Sequence, residues 1–108
     1  MFGGDAIKGH VEFLLLGVLR HGPAHGYALI GRLREQSDGA FDLAEGTIYP
    51  ALQRLERAGQ VESEWSAESG RRRRVYALTA AGEAALQQGR ADWAAFARGM
   101  QAVLEPSA

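Results

Sequence analysis

The sequence contains no cysteine. Disulfide staples, thiol nucleophiles, thiol redox sensing and the usual structural zinc sites are thereby excluded, so apolar packing, within one chain or across a dimer, must hold the fold. It also lacks any apolar run of about 18 residues, the length a membrane-spanning helix needs. The opening stretch from Met1 to Lys8 has no charged segment followed by a long greasy one, so no signal peptide is expected and the cytoplasm is the default compartment. Net charge is nearly absent too, with 12 Lys and Arg against 13 Asp and Glu. That balance argues against a protein that coats nucleic acid through bulk charge. Internal repeats and low-complexity segments are missing, although the last third is rich in alanine. No nucleophile stands beside a base in a recognisable motif, no phosphate-cradling loop occurs, and no His-Glu metal helix is present. The chain is therefore expected to be no enzyme and to need no cofactor.

What is there fits one domain: 108 residues, 46% of them hydrophobic, suffice for a single core and are too few for two ordinary ones. From about His10 to Arg20 the apolar residues Val11, Leu14, Leu15, Val18 and Leu19 recur at helical spacing and stop at His21-Gly22-Pro23, which predicts a buried first helix. A second helix is expected from about His25 to Gln36, with Tyr27, Leu29, Ile30 and Leu33 as its apolar stripe. After a short apolar piece, Phe41 to Leu43, read as one small strand, a third helix starts near Glu45. It carries Ile48, Leu52 and Leu55 inward and ends at Gly59, a natural C-terminal cap. Gln60 to Ser66 and Arg72 to Leu78 alternate as strands do, and with a turn at Ala67 to Gly70 they form a hairpin whose tip holds Arg71, Arg72, Arg73 and Arg74. Thr79 is the expected N-cap of a long helix to about Leu104, closed by Pro106.

Helix, helix, small strand, helix and basic hairpin, in that order, make a winged helix-turn-helix: mainly α with a small β-hairpin. The expected division is a winged helix-turn-helix DNA-binding domain over 1–78 and a C-terminal dimerisation helix over 79–108. On the third helix Thr47, Tyr49, Gln53, Arg54 and Arg57 offer hydroxyl, amide and guanidinium groups to phosphates or base edges, with Tyr49 and Arg54 expected to be exposed opposite the buried leucines. The arginine run supports two readings: contact with phosphates of double-stranded DNA, or a solvated loop whose charges pair with Glu62, Glu64 or Glu68. A matching alternative function is a winged-helix module binding an acidic protein partner.

In the last helix Leu86, Trp93 and Met100 lie seven apart, as do Phe96 and Val103. A heptad stripe on a terminal helix usually finds a partner helix, which predicts dimerisation through these five residues. Trp93, with Phe96, also has a second reading, as the lining of a cavity that takes a planar aromatic effector. The three histidines, His10, His21 and His25, are not expected to share a metal, because Gly22-Pro23 breaks the helix that would align His21 with His25. His25 is read as a helix-start residue.

The run from Glu45 to Gly59, EGTIYPALQRLERAG, resembles the recognition-helix signature of PadR-family transcription regulators. His25-Gly26-Tyr27 at the second helix and RRRVYALT over Arg72 to Thr79, followed by Gly82, are similar to that family's helix opening and wing-to-helix passage. The resemblance covers most of residues 11 to 82. It implies a homodimeric winged-helix repressor with Thr47, Tyr49, Arg54 and Arg57 near DNA and dimerisation through the C-terminal region. With one helix after the wing, the chain is similar to the family's short subgroup, in which an aromatic residue on that helix can face a ligand cavity at the dimer interface. The arginine run is longer than the family's usual mixture of Gly, Pro, Arg and Lys at the wing.

Overall fold

A computed structural model describes residues 9–67 and 70–106. The opening stretch from Met1 to Lys8, the centre of the turn expected at 67–70, and Glu68 as an arginine partner lie outside those residues.

The first helix, α1, spans Val11–Leu19 and buries Val11, Leu15, Leu16, Val18 and Leu19. The chain turns at Gly22, whose φ of 129° is open to glycine and to few other residues. A two-residue strand, β1 (Ala24–His25), leads directly into α2 (Gly26–Gln36). In α2 the buried leucines are Leu29 and Leu33, whereas Tyr27, assigned to the apolar stripe from its spacing, is 67% exposed. At its end Ser37 Oγ donates to the Leu33 carbonyl at 2.7 Å and accepts from the Phe41 N–H at 2.9 Å. Arg34 meets Asp42 through Nε at 3.0 Å and Nη2 at 2.8 Å, fastening the following loop.

The third helix, α3 (Glu45–Arg57), buries Ile48, Ala51, Leu52 and Leu55. Pro50 lies within it on the exposed side, giving up one backbone bond without ending the helix. The hairpin is β2 (Val61–Ser66) with β3 (Arg73–Leu78), in antiparallel register from Val61 opposite Leu78 to Ser66 opposite Arg73. The small strand is not where the sequence put it. The segment 41–43 holds only a single bridge position at Phe41, and Leu43 turns its side chain into the core. Instead Ala24 and His25 pair with Tyr76 and Val75, so β3 is the middle strand in the order β1-β3-β2.

The last helix, α4, runs over Ala80–Leu104, and Thr79 caps it by accepting the Gly82 N–H at 3.1 Å. The same hydroxyl donates to the Gly59 carbonyl at 2.6 Å, and the Thr79 N–H donates to Gln60 at 3.2 Å. Two glycines let α4 approach its neighbours: a Cβ at Gly82 would fall on the Gln60 carbonyl, and one at Gly89 would come within 2.7 Å of the Phe13 ring. Leu86, between them, is 4% exposed in the common core with Leu15, Leu29, Ile48, Leu52 and Val61. Beyond Trp93, whose ring still meets His10, the helix leaves the body of the chain, whose longest extent is 61 Å against 29 and 21 Å across.

Candidate nucleic-acid interface

The apolar face of α3 is fixed by Ile48, Leu52 and Leu55, so its other face is left to solvent. Gln53, Arg54 and Arg57 are exposed there, with Arg54 Nε 3.6 Å from the Glu12 carboxylate of α1. Thr47 and Tyr49 are half-buried. For Tyr49 this departs from the exposure expected: its ring packs against the core and occupies the space a side chain at Gly26 would need, 2.5 Å from that position. The middle residue of His25-Gly26-Tyr27 and the ring of Tyr49 therefore border one place, where α2 begins and α3 passes.

The wing stands beside that place. Arg71 and Arg72 are exposed, Arg73 and Arg74 half-buried. Arg72 and Arg74 flank the Trp65 ring, their guanidinium carbons 4.6 and 5.1 Å from its centroid, a cation–π arrangement that holds both charges outward. Arg74 Nε also donates to Ser63 Oγ at 2.7 Å, and Ser63 donates to Glu56 of α3 at 2.6 Å. That chain, rather than a pairing with Glu62 or Glu64, ties the wing to the third helix. Arg73 points the other way and reaches His25 Nε2 at 2.8 Å. His25 is the helix-start residue expected, capping α2 at Ala28, but its bond to Arg73 and the pairing of Ser63 with Glu56 have no sign in composition or spacing.

Between wing and helices lies a cleft of about 710 Å³, lined by Arg71 to Arg74, by His25 and Tyr27 of the α2 entry and by Glu45 and Tyr49 of α3. Among the described residues four guanidinium groups stand against one carboxylate, which makes it a cleft for anions. Two groups lining it are shifted. Burial, and then the charges of Arg73 and Arg32, hold the His25 imidazole below its ordinary value, so it is neutral near pH 7. Burial, followed by Glu56, pushes the Tyr76 phenol up, keeping it protonated.

The His25 shift has a consequence for stability. A histidine whose folded pKa is depressed binds protons more readily when unfolded, so stability is complete above the unfolded value of 6.5 and declines as pH falls from there through the folded value. The expected result is a melting temperature that drops between neutral and mildly acidic pH by more in the parent than in His25→Asn, which keeps a capping oxygen without titrating. Equal drops in both would remove His25 as the source.

At the far end of the molecule, Trp93, Phe96, Met100 and Val103 are 51%, 52%, 48% and 82% exposed. Leu86 differs from them because the chain's own core already covers it, so the open apolar stripe begins at Trp93. Trp93 stacks on Phe96 at 5.7 Å between centroids, with His10 edge-on at 5.8 Å. A shallow cavity of about 300 Å³ adjoins them, bounded also by Phe13 and Gly89. Among the described residues no three His, Asp or Glu side chains gather as a metal site would need, and no helix is long and apolar enough to cross a membrane.

The winged-helix order has known counterparts. The sequence profile of the transcriptional regulator PadR-like family matches residues 15–88, from α1 through the wing into α4. The chain belongs to the PadR family. It is 46% identical over 57 residues to the transcriptional regulator Rv3488 of Mycobacterium tuberculosis, a stretch covering 53% of each chain. Among solved structures, a transcriptional regulator from Clostridium thermocellum superposes with a TM-score of 0.85 at 28% identity, over 94% of this chain and 99% of that one. A PadR family transcription regulator from Clostridium difficile gives 0.80 at 31% identity, over 90% and 100%. One from Eggerthella lenta gives 0.80 at 31%, over 95% and 88%. As a PadR-family member the chain is a DNA-binding transcriptional regulator and not an enzyme.

Proposed function

We propose that this PadR-family chain is a ligand-responsive repressor that binds a pseudo-palindromic operator in the cytoplasm as a homodimer. The observation that carries the reading is the meeting of the start of α3 with the basic wing at one cleft. Glu45 and Tyr49 of α3 line that cleft together with the four wing arginines, and the exposed face of the same helix carries Gln53, Arg54 and Arg57. Residues 1–78 then form the DNA-reading unit, in which α3, with Thr47 and Tyr49 at its start, enters the major groove and Arg71 to Arg74 take flanking phosphates. Residues 79–108 join two copies through Trp93, Phe96, Met100 and Val103, setting the two reading helices about 34 Å apart, one turn of DNA. The stacked Trp93 and Phe96 with their cavity supply an aromatic surface for a planar effector. Such a ligand releases DNA only by binding the non-operator arrangement of the dimer more tightly, since equal affinity for both shifts nothing.

The wing assignment is tested by salt. Replacing Arg72 and Arg73 by alanine is expected to weaken operator and unrelated duplex about equally, and to reduce the slope of log affinity against log salt by about 0.9 for each phosphate that the wing no longer neutralises. An unchanged slope would place the wing arginines away from DNA.

A further inference from the structure

His25 faces two partners that one imidazole cannot satisfy together. Its Nδ1 lies 3.2 Å from the Ala28 N–H, in position to accept it and cap α2. Its Nε2 lies 2.8 Å from Nη1 of Arg73, across the root of the wing. A guanidinium has only donors, and a neutral imidazole has one lone pair and one N–H to share between its two nitrogens. If Nδ1 accepts the cap, the proton sits on Nε2 and points at another donor. If Nε2 accepts from Arg73, Nδ1 carries the proton and opposes the Ala28 N–H. Protonation of the ring satisfies neither. The groups nearby do not relieve the conflict: Arg32 on α2 adds positive charge, and among the described residues the ring's hydrogen-bond partners are Ala28 and Arg73.

An anionic oxygen placed between Nε2 and Nη1 relieves it fully. It accepts from both, and Nδ1 is then free to hold the cap. We propose that His25 and Arg73 form a two-donor seat for a DNA backbone phosphate at the root of the wing, whose occupation fixes His25 in its Nε2–H form and completes the cap of α2. The proposal rests on the DNA-binding reading above and adds a residue to it. To admit an oxygen at ordinary hydrogen-bond distances, Nε2 and Nη1 must separate by about 1–2 Å, which the long arginine side chain supplies. The seat opens on the cleft lined by Arg71, Arg72 and Arg74, so the phosphate arrives in a field already positive. It links wing contact to the order of α2: the wing takes its phosphate and the helix gains its cap in one step.

The test uses the full chain labelled with nitrogen-15 at histidine, titrated at low salt with a random-sequence duplex of about 25 base pairs, long enough for two half-sites one turn apart. Long-range nitrogen–proton correlation separates the two imidazole forms. His25 is expected to move to the Nε2–H form as duplex is added, and Arg73→Ala to show that form already without DNA. His25→Asn keeps an oxygen for the Ala28 N–H but is too short to reach the seat. It should lose about ten- to a hundredfold in duplex affinity, the weight of one hydrogen bond to a charged acceptor, with the salt slope unchanged. Arg73→Ala should lower the slope by about 0.9, because it removes a charge. A His25 ring that does not change form at saturating duplex, or a His25→Asn variant that binds like the parent, overturns the seat and leaves DNA binding intact. Failure of the parent to bind duplex at all overturns both.

Discussion

Gly82→Ala is expected to lower the melting temperature by roughly 10–20 °C, the largest effect of a single methyl group anywhere in this chain. The added Cβ would fall on the carbonyl oxygen of Gln60, with the Gln60 carbonyl carbon 3.0 Å away and a Leu78 methyl 3.1 Å away. The first two obstacles are backbone and cannot rotate aside. Moving α4 outward is the one remaining relief, and it has consequences at three bonds. Gly82 donates its own N–H to Thr79 Oγ1, Thr79 donates to Gly59, and the Thr79 backbone donates to Gln60. It also draws Leu86 out of the core. Overpacking of this kind costs about 1–3 kcal/mol, and breaking the docking bonds brings it to the upper end of that range. In a domain of this size each kcal/mol is worth about 4–8 °C. Gly31→Ala is the control: nothing lies within 4 Å of the position its Cβ would take, and alanine is the better helix former by roughly 0.5–1 kcal/mol. Calorimetry of both variants decides the matter, and a Gly82→Ala protein melting within a few degrees of the parent would show that α4 is not held at this contact.

Gly82 also marks the limit of what spacing reveals. The core of α1 and α3 is legible because Leu15, Leu19, Ile48, Leu52 and Leu55 repeat at helical intervals, and any partner surface would bury them. The strand β1 is not legible, because two residues have no period and Ala24-His25 become a strand only by lying against Val75 and Tyr76. The sequence offered 41–43 instead, an apolar run of similar length, whose Leu43 is inside for packing and not for pairing. Periodicity misplaced Tyr27 as well: its position in the turn matches the stripe, yet α2 opens at the cleft and the ring projects there. Along α4 the heptad joined Leu86 to Trp93, but seven residues fall short of two full turns by about 20°. Packing divides them further. Leu86 lies where Gly82 and Gly89 bring the helix against Gln60, the end of β3 and α1, and Trp93 lies beyond that docked stretch.

The basic wing shows the same division between charge and geometry. Four consecutive arginines announce an anion partner, whereas their holders are invisible in the run itself. Trp65 orients two of them, the Ser63–Glu56 chain anchors Arg74, and His25, 48 residues away, meets Arg73. Tyr49 looked like a free reading residue because its neighbours Ile48 and Leu52 are the buried ones. It is half-covered because Gly26 leaves room for its ring, a coincidence of two separated positions that no helix wheel displays.

Phe96→Glu is expected to convert a dimer into a monomer and to abolish operator binding in the concentration range where the parent saturates. In the single chain Trp93, Phe96, Met100, Val103 and Leu104 leave an apolar stripe in water, at exposures from 48% to 82%. A patch of that kind is rare on a monomer, and in the proposed dimer a second copy covers it with the same residues from the other side. Because the contact is two-fold, every substitution is felt twice. Burying one fully exposed large apolar side chain is worth about 1.5–3 kcal/mol, and about half of Phe96 is already covered in the single chain, so removing two copies weakens association by roughly 1.5–3 kcal/mol, or about ten- to a hundredfold. Two carboxylates brought near each other at the axis add to that loss. The fold of each protomer should survive, since Phe96 is half in water and beyond the stretch of α4 that packs on the core, so the helical circular dichroism of the variant should match the parent. DNA binding then separates the two roles. A monomer keeps α3 and its wing and retains weak, salt-sensitive affinity for any duplex, but it loses the linkage that makes the second half-site an intramolecular event. Sedimentation velocity gives the oligomeric state and a footprint on a palindromic site gives the binding. A Phe96→Glu protein that sediments as the parent does would move the dimer contact elsewhere on the surface, and one that sediments as a monomer yet protects both half-sites would sever dimerisation from operator reading.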